Sequence, residues 1–199
     1  MVEKVWTWDN CKDKIKSLSG RLGFPKSSTL EFLKLRLSLE DGRIFDEIRG
    51  KYFENIEPIY CILTGYADSE PIPESGELIS FSKLPGGDLY RSVFLGRVAK
   101  PIEQLFGSNP ELLYRIAKIF NASKLNLGDC SVKIYALPLI PIVYVVWSGD
   151  DEFPAFVNVL FDSTVKNYLT TEQTVLLSEL TSIRLKHAYM RYERGEAKE

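Results

Sequence analysis

The stretch Leu33-Lys34-Leu35-Arg36-Leu37-Ser38-Leu39, followed by Glu40-Asp41-Gly42, decides how the chain is read. Leucine recurs at every second position, with Lys34, Arg36 and Ser38 between, and a period of two sends alternate side chains to opposite faces of a strand. The spacing predicts a strand with one buried face. Asp41-Gly42 supplies the positive φ that a tight turn needs, so residues from Arg43 to about Tyr52 are expected to return as a second, antiparallel strand.

Helical spacing appears on both sides of this hairpin. Thr7 to Gly20 reads as a helix capped by Thr7 or Asp9, with Cys11, Ile15, Leu18 and Leu22 on one side and Gly20 and Gly23 at its end. Ile56, Ile59, Tyr60 and Leu63 give a short helix after Asn55 that fades at Gly65. Pro71, Pro73, Ser75 and Gly76 mark a loop, and Leu78 to Phe81 is a short extended piece. After Pro85-Gly86-Gly87, Asp88 is expected to cap a helix whose apolar stripe is Tyr90, Val93, Phe94, Val98, Ile102 and Leu105, with Pro101 kinking it or starting another. Asn109-Pro110-Glu111 begins the next helix, with Leu112, Leu113, Ile116, Ala117 and Phe120 as its apolar face.

Ser131 to Leu137 and Pro141 to Trp147, rich in Val, Ile and Tyr, read as core strands joined through Pro138 to Pro141, and Gly149-Asp150-Asp151-Glu152 as an acidic turn. Phe156 to Phe161 fits either a strand or a buried helix, because length does not separate them. Thr170-Thr171-Glu172-Gln173 is a capping-box signal, and Leu176, Leu180, Ile183 and Met190 trace one face of a long C-terminal helix. Without a repeat or a Gly/Ser linker, the element order points to a single α+β domain over residues 1–192, with a mostly antiparallel or mixed sheet covered by helices and a solvated tail over 193–199.

Composition narrows the function classes. Among 199 residues, 25 Lys and Arg face 27 Asp and Glu, and a net charge of −2 leaves no large basic field for a phosphate backbone. The aromatics are not interleaved with basic residues as a single-strand platform requires, so nucleic acid is excluded as a partner. The longest nearly apolar run, Ala136 to Trp147, is broken by two prolines and falls short of the roughly 20 residues a membrane helix needs. Met1 to Lys4 lack an export signal, so a cytoplasmic protein with no membrane partner is expected. Cys11, Cys61 and Cys130 are scattered and odd in number, which suits reduced structural thiols better than a disulfide framework or a thiolate metal site. The scarcity of Gln, Met and Cys fits a thermophile.

His187, the only histidine, continues the stripe of the last helix and reads as a packing residue, which removes histidine-rich zinc cages and makes a nucleophile-histidine relay improbable. Asp150, Asp151 and Asp162 are the candidate ligands for a hard divalent cation, although acidic turns are also ordinary solvated connections. Gly86 and Gly87, before a helix, offer backbone N–H groups to an anion, with Arg91 and Arg97 following. Arg97 falls on the apolar stripe, where an unpaired charge is costly, so either a structural carboxylate or a bound ligand is expected to pair with it. Trp147 and Phe153 beside the acidic turn are candidate pocket walls, and core packing explains them equally well.

Several segments together carry a resemblance: Leu22-Gly23-Phe24, Pro73-Glu74-Ser75-Gly76, Ile79-Ser80-Phe81, Leu84-Pro85-Gly86-Gly87, Phe94 to Arg97, Phe106-Gly107, Trp147 to Ala155 and Leu160-Phe161-Asp162. Over roughly residues 20 to 190 the chain resembles the prokaryotic domain of unknown function 3786. The resemblance implies one intact domain and no catalytic residue. Some relatives are associated with corrinoid or anaerobic one-carbon proteins and carry an added Cys-rich, iron-sulfur-like segment, whose cysteines this chain lacks. No cofactor is named by any motif. The leading reading is a non-catalytic small-ligand-binding or accessory protein that takes an anionic small molecule or a protein partner at Gly86, Gly87, Arg91, Arg97, Trp147 and Phe153. The alternatives are a divalent-metal-assisted hydrolase or transferase using the 150–162 carboxylates, and a structural subunit of a homo-oligomer whose exposed aromatics form the interface.

Overall fold

A computed structural model describes residues 5–195. Helix α1 (Trp8–Lys16) starts where the Thr7 hydroxyl accepts from the Asn10 amide, and it buries Cys11 and Ile15. The leucine-rich stretch then departs from the single strand expected of it. Strand β1 (Thr29–Phe32) and strand β2 (Leu35–Ser38) pair antiparallel, Leu30 opposite Leu37 and Phe32 opposite Leu35, with the turn at Leu33 and Lys34. Both turn residues have positive φ, 48° and 59°, a conformation that costs a side-chain-bearing residue energy and that neither residue signals in sequence. The alternation is nevertheless real, because Leu33, Leu35, Leu37 and Leu39 are all buried.

Asp41-Gly42 makes the expected turn, with Gly42 at φ 77°, into strand β3 (Ile44–Asp46). The return is interrupted by a second turn before the two-residue strand β4 (Lys51–Tyr52), so a four-stranded antiparallel sheet stands where one hairpin was expected. Helix α2 (Glu57–Ala67) runs two residues past Gly65, whose bare Cα leaves room for the Gln173 side chain. Strand β5 (Leu78–Ser80) and a 3-10 turn at Phe81–Lys83 lead to helix α3 (Gly87–Phe94). Its N-cap is the left-handed Gly86, not Asp88. A π turn over Leu95–Ala99 then joins α3 to helix α4 (Lys100–Phe106). The π turn inserts one residue into the helical register. Phe94, Val98, Ala99, Ile102 and Phe106 therefore face the core, while Tyr90 and Val93 of the expected stripe are exposed. Pro101 sits in the first turn of α4, where its missing N–H is tolerated.

Helix α5 (Pro110–Ala117) ends in a 3-10 turn at Lys118–Phe120 and a left-handed Asn121. Strands β6 (Ser123–Leu125), β7 (Cys130–Leu137), β8 (Ile140–Trp147) and β9 (Phe156–Asp162) follow, so the segment that sequence left open is a strand. They form a second antiparallel sheet in the order β5-β9-β8-β7-β6. After the short helix α6 (Val165–Tyr168), helix α7 (Thr171–Glu193) begins in the expected capping box, with Thr170 and Gln173 each bonding the other's backbone amide.

Of the stripe expected on α7, Leu180 is buried and Leu176 half-buried, but Ile183 and Met190 are exposed. With Leu180, the inward face is made by Thr174, Leu177, Ser178, Thr181, Arg184, Leu185 and Ala188. Small hydroxyl side chains can face a core because they return a hydrogen bond to the preceding turn, as Thr174, Ser178 and Thr181 do to the carbonyls of Thr170, Thr174 and Leu177. With small residues on this face, α7 packs against α2, α4, α5 and β7 at once, and one hydrophobic core spans the α+β domain. The three cysteines are buried and free. Among the described residues no helix is long and apolar enough to cross a membrane. Residues 1–4, read as lacking an export signal, and positions 196–199 of the expected tail lie outside the described residues.

Candidate functional site

The residues singled out in sequence do not converge. Gly86 and Gly87 open α3, but the Gly87 amide already donates to the Leu84 carbonyl, and a Cβ on Gly87 would lie 2.1 Å from the Phe81 carbonyl oxygen. This glycine serves a close backbone approach. Arg91 is exposed, and Arg97 is not set into the core: its side chain is 65% exposed and meets Glu179 of α7 at 3.3 Å. The π turn is the reason, because the added residue rotates position 97 to the surface. Trp147 ends β8 and Phe153 lies in the β8–β9 loop, and among the described residues no hydrogen bond, ion pair or ring contact joins them to Arg91 or Arg97.

The carboxylates are also dispersed. Asp150 turns its Oδ1 back onto the amides of Glu152 and Phe153. Asp162 lies at the other end of β9, seven residues and about 20 Å along the strand. It accepts from the amides of Ser75, Gly76 and Thr164 and from the hydroxyls of Ser75 and Thr164. Burial opposes its ionisation, yet these five donors hold its carboxyl down at about 2. Asp162 is thus the clasp that pins the 70–76 loop to β9. Among the described residues no three metal-ligating side chains gather at one point.

What the fold does build is a groove. The β1–β2 turn, the β3–β4 turn, the end of α5 and the last turns of α7 enclose a cleft of about 550 Å³. Lys34, Arg115, Lys118 and Arg191 stand around it against one carboxylate, Glu47, which already has Arg36 at 4.0 Å. Ile48, Ile116, Ile119 and Ala188 supply an apolar floor, and Tyr192 forms a wall with the Arg115 guanidinium 5.1 Å from its ring. Lys34 and Lys118 form no ion pair among the described residues; Lys118 rests over the Tyr114 ring. A second cleft of about 400 Å³ shares Lys34, Glu47, Ile119 and Asn121 and runs on to Tyr135 and Pro138, and a third shares Arg115 and Tyr192. The three share lining residues and form one continuous groove; Glu31 of the second cleft and Glu111 and Glu193 of the third balance its cations, so the excess of positive charge is local to the first cleft.

Its geometry depends on Arg184, which with Asp46 is wholly buried under the groove. The guanidinium binds Asp46 in two places, at 2.6 and 2.8 Å, and donates to the carbonyls of Leu33 and Lys34 at 2.9 and 3.1 Å. Burial would push the Asp46 carboxyl up, but Arg184 together with the amides of Ile48 and Arg49 outweighs it and holds the group below the usual carboxylate range. Arg184 thereby fixes the strained turn that presents Lys34 to the groove. His187 sits beside this pair, Nδ1 4.0 Å from Asp46 and buried without a hydrogen-bond partner. Burial, with Arg184 and Arg49 close by, lowers its pKa. Sequence reading passed over Arg184 because it looks like one of several arginines on a charged helix. The only available signal was its helical phase with Leu177, Thr181 and Ala188.

A family model described as a domain of unknown function, DUF3786, matches residues 25–184. The chain belongs to the DUF3786 family. The DUF3786 match contains both sheets, reaches Arg184, and includes Lys34, Glu47, Arg115 and Lys118 of the groove, while Arg191 and Tyr192 lie beyond it. No curated protein and no solved structure matches the chain.

Proposed function

We propose that this DUF3786 domain is a binding module that holds an anionic small molecule in the groove between the β1–β2 turn, α5 and α7. The observation that carries the reading is Lys34 and Lys118, neither in an ion pair among the described residues, standing with Arg115 and Arg191 around a cleft with an apolar floor. Arginine and lysine suit phosphate and carboxylate oxygens, the isoleucines suit the carbon body of such a ligand, and the Tyr192 ring offers a stacking face. A volume of about 550 Å³ is within the usual range for small-molecule sites.

Thermal melting with inorganic phosphate, pyrophosphate, citrate and AMP as separate probes tests the reading. A ligand that binds only the folded state at about 100 times its Kd adds about 2.7 kcal/mol of stability, and the midpoint must rise. The rise is expected to shrink with added salt and to vanish in Lys34→Glu with Lys118→Glu. No rise with any probe, or a rise that persists in that variant, refutes the assignment.

A further inference from the structure

At the far end of the second sheet the charge pattern is reversed. Between Lys133 and Lys166 the sequence contains no lysine or arginine, yet it carries Asp150, Asp151 and Glu152 in the β8–β9 loop. Residues 147–154 are exposed without interruption, and Phe153 is 66% exposed. The loop is ordered before it meets anything: the Asp150 amide donates to the Phe153 carbonyl, Asp150 Oδ1 takes the amides of Glu152 and Phe153, and Gly149 has the Ala155 amide nitrogen 2.7 Å from where a Cβ would stand. Asp151 and Glu152 form no ion pair among the described residues. The result is an acidic projection, held by its own hydrogen bonds, with one apolar side chain and flanked by the Trp147 and Phe156 rings, which pack 5.7 Å apart.

We propose that this loop docks into the groove of a second copy of the chain, so that DUF3786 copies associate head to tail. The inference rests on the groove being an anion site, as proposed above. Both halves of the match are present in one chain: Asp151 and Glu152 would face Lys34 and Lys118, and Phe153 would lie on the Ile48 and Ile119 floor. Preorganisation of the loop lowers the entropy lost on docking, and charge complementarity selects the pairing. A chain cannot satisfy itself. The loop joins the Trp147 end of β8, whereas the groove reaches Tyr135 and Pro138 at the Ile140 end, a strand of eight residues or about 25 Å away. Such a contact uses two different patches, so it closes into a ring or continues as a filament.

Sedimentation velocity on the whole chain, across protein concentration and at low and high salt, tests this. Wild type is expected to associate with concentration and to dissociate with salt or millimolar pyrophosphate. The loop variant Asp151→Lys with Glu152→Lys, and the groove variant Lys34→Glu with Lys118→Glu, should each associate at least about tenfold more weakly, because like charges then meet. All four positions are exposed, so both variants should melt as wild type does. Mixed together, the two variants should associate again, since every loop then finds a groove of opposite sign. A wild type that stays monomeric, an association indifferent to either reversal, or a mixture that stays dissociated overturns the proposal. If wild type is monomeric but pyrophosphate still raises its melting midpoint through Lys34 and Lys118, only the head-to-tail contact falls; if neither is seen, both readings fall.

Discussion

Replacing Arg184 by methionine keeps the volume of the side-chain stem and removes the guanidinium. In wild type that group neutralises Asp46, itself completely buried, and closes the carbonyls of Leu33 and Lys34. The variant leaves Asp46 with the Ile48 and Arg49 amides, and the Leu33 carbonyl loses its donor while the Lys34 carbonyl keeps the Glu47 amide. Breaking a buried pair by removing one partner costs about 3–5 kcal/mol, because a charge is left without compensation. The open Leu33 carbonyl adds up to about 1–3 kcal/mol unless water reaches it, so about 4 kcal/mol is a conservative total. For a chain of this length about 3 °C of melting midpoint accompanies each kcal/mol, which gives a fall of about 12 °C by calorimetry or circular dichroism. Adding Asp46→Leu removes the stranded charge and should restore much of the loss, a non-additivity only a direct pair can show. An Arg184→Met midpoint within about 3 °C of wild type, or a double variant no better than the single one, would refute the assignment of this pair as the support of the groove.

Other outcomes follow from single positions. Gly87→Ala places a Cβ 2.1 Å from the Phe81 carbonyl oxygen, so backbone must shift at a cost of about 2 kcal/mol, whereas Gly96→Ala meets open space and should stabilise by up to about 1 kcal/mol; denaturant titration of the pair checks the contrast. Asp162 has a folded-state pKa of about 2 against an ordinary 3.8, so its contribution of about 2 kcal/mol is complete above 3.8 and is lost as pH falls towards 2. Asp162→Asn should flatten that acid limb in melts between those values, and an unchanged limb would contradict the clasp. His187 has a folded-state pKa lowered from 6.5 by burial and by Arg184 and Arg49, against the pull of Asp46, so the unfolded chain takes up the proton first. Stability is therefore full above 6.5 and falls as pH drops through the lowered value. His187→Leu should remove this slope and relieve the unpartnered Nδ1; a slope as steep as wild type would mean that another group carries it.

Local patterns in the chain settled the element types. The capping box at Thr170–Gln173, the Asp41-Gly42 turn, the strand alternation at Leu33–Leu39 and the apolar runs that became β7 and β8 are short-range signals, and short-range sterics and hydrogen bonding decide them. The order of the elements, without a repeat or a Gly/Ser linker, likewise pointed to the α+β class with one core. Tertiary structure decided what each surface faces. A turn at Leu33-Lys34 has no local signature, because its strain is repaid by a guanidinium 150 residues away in sequence. One residue inserted at Leu95–Ala99 turned Arg97 to solvent, and a single helical phase on α7 put Arg184 inside. The groove draws Lys34, Arg115, Lys118 and Arg191 from three elements, and such a convergence of distant charges depends on how helices pack on sheets, which no window of neighbouring residues encodes.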